Sequence, residues 1–302
     1  MENATGKAGG KAILAGEHFV VHGAPAIAVP LPGVGLEAQL GLPSRGAPPS
    51  GHVAACLRVV AERWGGPDPA GLSVIIRSDI PIGAGLGSSA ALSVALARAA
   101  ARWLGRSVDD GELREVSLAC ERIAHGNPSG VDTEVAVTGQ AVRFVRGEPP
   151  RALGVAANLG LVVCDTEAPA STREMVEAVA RLRAADPAGF ERRLRRAAEL
   201  VDDAERALAT GDLGALGRAL DENQELLAAI GVSTPGIERL VAAARRAGAA
   251  GAKLTGKGGG GTVIAVCAAT ATTAVTDMLR QGGWKVVAAG TITTTTTREK
   301  EG

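Results

Sequence analysis

The sequence predicts a globular protein of about two domains that contains both helices and strands. Its 302 residues exceed the length of an average domain, although one large α/β domain could also have this length. With 46% hydrophobic and 21% charged residues, the chain can bury a large core. The composition shifts after about residue 150, where long helical patterns follow one another, and this shift favours two domains.

The composition argues against several classes of function. Lys and Arg together number 32, as do Asp and Glu, so bulk charge would not hold the chain on nucleic acid. Three Trp, three Phe and no Tyr are too few for a base-stacking surface. The four cysteines lack the spacing of a zinc site, and no signal peptide or membrane-spanning run is evident. We therefore expect a soluble cytoplasmic protein that binds neither nucleic acid nor membrane.

Strand and helix patterns alternate in the first half of the chain. The first two predicted strands flank a polar pivot at Gly16 and Glu17. After a turn at 126–130, Asp132 is expected at the entrance of a strand. The predicted strands cover 11–14, 18–21, 26–40, 72–79 and 141–146, and the predicted helices cover 52–64, 90–104 and 109–125.

Helical patterns dominate the second half. We place the domain boundary between 150 and 160, giving domains at 1–155 and 156–302. A glycine loop at 256–261 precedes a strand. The predicted helices cover 171–185, 188–209, 212–230, 236–247 and 270–281, and the predicted strands cover 159–165, 262–267 and 284–296.

The segment PIGAGLGSSAA at 81–91 is the strongest local signal. Glycines let backbone N–H groups approach an anion, and the following helix presents its positive end to phosphate. Ser88 and Ser89 add hydroxyls there, one as a donor and one as a candidate Mg²⁺ ligand. A plain strand-to-helix turn with a serine cap is the alternative. The spacing G-x-G-x-G-S differs from the dinucleotide-binding G-x-G-x-x-G, so we favour phosphate binding.

The segment KLTGKGGGG at 253–261 forms a second glycine loop. It resembles a nucleotide-binding P-loop in Gly251, Gly256 and Lys257, but Gly258 stands where that motif needs Ser or Thr, and the preceding segment has the pattern of a helix rather than a strand. Apolar residues on both sides favour a buried loop over a flexible linker. Such a loop would let a substrate or phosphate approach the backbone.

Charged residues elsewhere could supply the chemistry of phosphoryl transfer. Taken alone, Lys11 and His18 are weak candidates, because most such residues are solvated or structural. Glu121 and Asp132 lie eleven residues apart, around HGNPSGVD. Phosphoryl transfer needs one carboxylate for the metal and another near the attacking hydroxyl, and this pair could serve both needs.

In this order, the four elements resemble those of the GHMP small-molecule kinases. KAILAGEHFVVHG at 11–23 and ERIAHGNPSGVD at 121–132 are most similar to members that phosphorylate mevalonate, whereas 81–91 is shared by the whole superfamily. KLTGKGGGG at 253–261, with NQELLAAIGVSTP before it, matches the third motif. The resemblance implies a two-domain α+β fold: an N-terminal ribosomal-S5-like domain with a left-handed βαβ unit and a C-terminal ferredoxin-like domain.

The resemblance also implies ATP, Mg²⁺, a homodimer and residue roles. Asp132 matches the carboxylate that accepts the acceptor's hydroxyl proton, and Lys11 matches the lysine that polarises this hydroxyl. Ser89 and Glu121 match the Mg²⁺ ligands. The implied phosphate-binding residues are Pro81, Gly83, Ala84, Gly85, Leu86, Gly87, Ser88 and Ser89, and the implied substrate-binding residues are Glu17, His18, Thr172, Gly258 and Gly259.

Some residues depart from the family pattern, so the motifs leave more than one acceptor molecule as an alternative. Lys257 stands where a small residue is usual, and Thr133 where Asn is commoner. Glu167 and Ala170 replace frequent basic residues, which affects recognition of an acid group. The expected reaction is phosphorylation of the C5 hydroxyl of mevalonate. Phosphomevalonate, homoserine or a sugar are alternative acceptors, and a nucleotide-binding module without catalysis is a third hypothesis.

Overall fold

The computed structural model describes residues 3–43, 47–126, 128–156, 158–168 and 172–292. The chain divides into two compact units. The first contains Met1–Lys11 and Val34–Gly139, and the second contains Ala12–Gly33 and Gln140–Gly302. The strands β1 (Ala4–Ala15) and β2 (Ala26–Gly41) contribute residues to both units. The domain boundary that we place at 155/156 stays a prediction.

In the first unit, helices pack around a central alanine-rich helix. The elements are α1 (Gly51–Trp64), β3 (Ser73–Ser78), α2 (Ser88–Trp103), α3 (Asp110–His125) and α4 (Val131–Thr138). The end of β2 pairs antiparallel with β3, with Leu36 opposite Ser78. At Gly6 the first strand lies so close to α2 that a Cβ would come within 2.1 Å of the Ala95 carbonyl oxygen. An Asp109–Glu112 capping box starts α3.

The second unit combines strands and helices. Its elements are β4 (Ala141–Phe144), β5 (Arg151–Leu153), β6 (Leu159–Asp165), α5 (Thr172–Ala185), α6 (Pro187–Thr210), α7 (Leu213–Ala229), α8 (Pro235–Arg246), β7 (Gly251–Thr255), β8 (Thr262–Ala268), α9 (Thr272–Gln281) and β9 (Lys285–Ile292). Four of the strands form an antiparallel sheet in the order β7-β8-β6-β9. Buried residues of this sheet and of α6, α7, α8 and α9 form the core of the unit.

The structure corrects one predicted strand and adds three elements that the sequence patterns did not predict, the helix α4 and the strands β5 and β7. Residues 18–21 are not a strand, because they form a turn that leads into a 3-10 helix at Val20–His22. Before the second glycine loop, β7 pairs with β8 along its whole length. The predicted threonine strand after Ile292 lies outside the described residues. Within the described ranges, no helix combines the length and apolar character needed to span a membrane.

Candidate active site

Glycines in the left-handed region shape the loop before α2. Gly83, Gly85 and Gly87 have φ angles of 75°, 77° and 77°, which residues with a Cβ avoid. At Gly87 a Cβ would also lie 2.9 Å from Lys11 Cγ. The loop therefore needs glycine at this position both for its backbone conformation and for the close approach of Lys11.

Helix α2 begins at Ser88, so both serines lie in its first turn rather than before it. Gly87 is the N-cap residue, and it has no side chain that could accept a hydrogen bond from the N–H groups of the first turn. The first N–H groups of a helix have no partner within the helix, and its dipole places positive partial charge there. The first turn also lacks an acidic residue. This helix end is therefore suited to bind phosphate.

The ammonium group of Lys11 joins the loop to Asp132. Its Nζ donates to the Gly85 carbonyl at 3.1 Å and lies 3.2 Å from Asp132 Oδ1. The backbone N–H of Lys11 donates to the Leu86 carbonyl at 3.0 Å. Lys11 is buried, whereas the Asp132 side chain is 37% exposed. The cation is thus fixed, and the carboxylate can still be reached by a small molecule.

Asp132 lies in the first turn of α4, so the predicted strand entrance at this position is wrong. Gly130, with φ of 85°, turns the chain into the helix, and a helix N-terminus favours a carboxylate charge. Arg114 of α3 holds α4 through two hydrogen bonds to Glu134, from Nη2 to Oε1 at 2.9 Å and from Nε to Oε2. This ion pair fixes the helix that carries Asp132.

Glu121 of α3 is buried beside the start of α2, where it accepts hydrogen bonds from two serines of that helix. Ser89 Oγ donates to Oε1 at 2.7 Å, and Ser93 Oγ donates to the same oxygen at 3.0 Å. His125 Nε2 lies 3.3 Å from Ser89 Oγ. The described residues contain no group of three or more His, Cys, Asp or Glu that could hold a metal ion. A cation here would therefore need hydroxyl or phosphate oxygens in addition to Glu121.

In the second unit, Glu17 forms a buried ion pair with Lys253. Lys253 Nζ donates to Glu17 Oε1 and, at 2.6 Å, to the Leu254 carbonyl. The side chains of Lys253 and Glu17 are 0% and 2% exposed. Burial lowers the pKa of Lys253, and the Glu17 charge opposes this shift. The two residues lie 236 positions apart in the sequence, so this ion pair connects the turn after β1 to β7.

His18 has a strained backbone and a neutral ring. Its φ of 59° lies in the left-handed region. Burial lowers the pKa of His18 to about 4, and a hydrogen bond with the Lys257 backbone acts in the opposite direction. The Nε2 atom of His18 is buried and finds no hydrogen-bond partner among the described residues.

Close contacts shape the second glycine loop. Gly258 and Gly259 have φ of 69° and 71°. A Cβ at Gly258 would lie 2.5 Å from the Val232 carbonyl oxygen, and one at Gly259 would lie 2.8 Å from Met175 Sδ. The Gly259 N–H donates to the same Val232 carbonyl at 2.7 Å. The loop is therefore an ordered, tightly packed element of the second unit.

The departures from the family pattern fall into different surroundings. Glu167 is exposed and pairs with Lys285 at 2.8 Å. Thr133 is buried in α4. Ala170 and the side chain of Thr172 lie outside the described residues, so the substrate-binding role of Thr172 stays a prediction.

Sequence reasoning missed several polar neighbours of these groups. Ser93 follows Ser89 by one helical turn, and that spacing could have indicated a shared partner. His125 follows Glu121 by the same interval. Lys253 opens the third motif, but its contact with Glu17 depends on the pairing of β7, which local sequence does not reveal.

Comparisons with known proteins define the class. Residues 51–140 match the family described as "GHMP kinases N terminal domain", and residues 204–282 match "GHMP kinases C terminal". A relative from Aeropyrum pernix is 38% identical over 281 residues, which cover 84% of this chain and 86% of that one. The chain belongs to the GHMP kinases. The two-domain fold of mixed α and β content that the resemblance implies is confirmed.

The relatives point to one member of this class. The Aeropyrum pernix protein is named mevalonate kinase, as is a Methanothermobacter thermautotrophicus protein that is 33% identical over 82% of this chain and 85% of its own length. The crystal structure of L. major mevalonate kinase in complex with R-mevalonate superposes with a TM-score of 0.83 at 27% identity, covering 98% of this chain and 97% of that one.

Proposed function

We propose that this protein transfers the γ-phosphoryl group of ATP to the C5 hydroxyl of mevalonate, giving 5-phosphomevalonate. The observation that carries phosphoryl transfer is the Lys11–Asp132 pair, 3.2 Å apart, held by the Gly85 carbonyl at the phosphate loop. The mevalonate kinases that align with more than four-fifths of the chain support this acceptor. The reaction belongs to the mevalonate pathway of isoprenoid synthesis.

In this proposal Asp132 and Lys11 act on the acceptor hydroxyl. The partly exposed carboxylate of Asp132 accepts the hydroxyl proton, and the Lys11 ammonium stabilises the charge that develops on the hydroxyl oxygen. The backbone from Pro81 to Ser89 and the start of α2 bind the phosphates. Most of the rate then comes from positioning and electrostatics, as is general for phosphoryl transfer.

The Ser89 hydroxyl and the Glu121 carboxylate fit a magnesium ion. They are hard oxygen donors that lie 2.7 Å apart beside the phosphate-binding helix end, and Mg²⁺ usually takes one or two protein oxygens together with phosphates and waters. We propose that these two residues hold Mg²⁺. When bound, the ion would neutralise phosphate charge.

Glu17 and His18, together with Thr172, Gly258 and Gly259, are the proposed mevalonate-binding residues. The Nε2 atom of His18, which has no partner among the described residues, is available to hydrogen-bond a substrate hydroxyl. The Glu17 carboxylate is fixed by Lys253.

A different acceptor remains the second candidate, because Glu167 is acidic where the family often has a base. Release of ADP with mevalonate, phosphomevalonate, homoserine and galactose separates the candidates. We expect kcat/KM for mevalonate to exceed the others by about 100-fold or more. Preference for another acceptor would overturn the assigned substrate, and ATP binding without turnover on any acceptor would support a non-catalytic module.

A further inference from the structure

Lys253 is a charged residue in the interior of the second unit, and phosphoryl transfer gives it no direct task. It stands in the middle of β7, with β8 paired alongside. Its side chain is 0% exposed, and its ammonium donates to Glu17 Oε1 and to the Leu254 carbonyl. A lysine is almost never fully buried unless it is paired.

Stability alone is a weak reason for this arrangement. Removing two charges from water costs free energy that their attraction often fails to recover, and a well-packed apolar pair usually serves a core equally well. Loss of one partner, in contrast, leaves an uncompensated charge in the interior. A role in holding the Glu17 carboxylate in a defined position therefore explains this ion pair better than stability does.

The surrounding contacts show which part of the chain is held. Thr255, two residues along β7, exchanges two hydrogen bonds with the backbone of Ile13, at 3.0 and 2.9 Å. Asn223 Oδ1 accepts from the Gly16 N–H at 3.3 Å. At Gly16, with φ of 98°, a Cβ would lie 2.4 Å from the Pro25 carbonyl oxygen. The backbone before Glu17 is thus fixed by neighbours, and Lys253 fixes the end of its side chain.

We infer that Lys253 is a positioning residue that orients the Glu17 carboxylate for binding of the acceptor. The inference rests on the proposed function, in which Glu17 contacts mevalonate. It assigns Lys253 an effect on acceptor affinity that passes through Glu17 and leaves ATP affinity unchanged.

A double-mutant cycle on the full-length protein tests this role. Steady-state kinetics and calorimetric titration with mevalonate compare wild type, Lys253→Met, Glu17→Gln and the double variant. We expect Lys253→Met to raise the KM and Kd for mevalonate about tenfold and to change the KM for ATP less than about twofold. In the Glu17→Gln background the same substitution should change mevalonate affinity by less than about twofold.

A matched control separates positioning from general loss of structure. Arg143 forms ion pairs with Asp202 and Glu205, each at 2.8 Å, in the same unit. Arg143→Met should lower the unfolding temperature and leave both KM values unchanged. The inference would be overturned if Lys253→Met left mevalonate affinity unchanged, or if it changed that affinity equally in the wild-type and Glu17→Gln backgrounds. The proposed function, in contrast, would be overturned if the wild-type protein used another acceptor.

Discussion

Gly87→Ala tests whether the glycine loop holds Lys11 in place. Gly87 has φ of 77°, and alanine in this region costs about 1 kcal/mol of folding free energy. The added Cβ would lie 2.9 Å from Lys11 Cγ, about 0.5 Å or more inside normal contact distance. Relief of this overlap moves the Lys11 side chain.

That movement should reach the reacting groups. Lys11 Nζ is held at 3.1 Å from the Gly85 carbonyl and 3.2 Å from Asp132 Oδ1, so a small shift lengthens both contacts beyond hydrogen-bond range. A misplacement of about 1 Å in an active site can cost about 100-fold in rate. We therefore expect kcat to fall by about 10- to 100-fold in Gly87→Ala.

Gly105→Ala is the matched control. Gly105 follows α2 with φ of +63°, and a Cβ there would meet nothing within 4 Å. Both variants should lose about 1 kcal/mol of stability from the backbone, but only Gly87→Ala should lose kcat. The assay is ADP formation at saturating ATP and mevalonate, with urea unfolding in parallel. Equal kcat values in the two variants would refute the reasoning.

Further predictions concern the metal, helix α4 and pH. Ser89→Ala should raise the Mg²⁺ concentration for half-maximal activity, and an unchanged dependence would assign the metal to Ser88. Arg114→Met leaves the mostly buried Glu134 carboxylate without its partner, so urea unfolding should show a loss of about 1–3 kcal/mol, and kcat should fall with it. Burial lowers the pKa of His18 from 6.5 to about 4. As the pH drops, His18 is protonated in the unfolded chain before it is protonated in the folded chain. The free energy of unfolding therefore falls as the pH drops between these two values. His18→Gln should lose less stability over this range, and equal losses would contradict a buried neutral ring.

Local sequence was sufficient to predict the elements whose periodicity and end signals agree. Helix α3 lies at Asp110–His125, against a prediction of 109–125, because an acidic cap and a terminal glycine bracket an amphipathic pattern. Strand β6 matches the predicted 159–165, since a short apolar run between breakers predicts a buried strand.

The errors occur where distant contacts decide the conformation. Residues 18–21 have the hydrophobic pattern of a strand, but Gly16 packs against Pro25 and His18 adopts a left-handed backbone. Strand β7 is short, and its identity depends on pairing with β8. The same limit applies to the site, where the sequence motifs predicted Lys11 and Asp132 but not the ion pair between Lys253 and Glu17.

Asp132→Asn tests most directly whether the Lys11–Asp132 pair carries the reaction. Asp110→Asn is its control, because Asp110 is also in the first turn of a helix of the first unit but is exposed. ADP formation with mevalonate should fall by about 1,000-fold or more in Asp132→Asn, with ATP affinity by calorimetry changed less than about twofold. Turnover within about tenfold of the Asp110→Asn value would contradict the account.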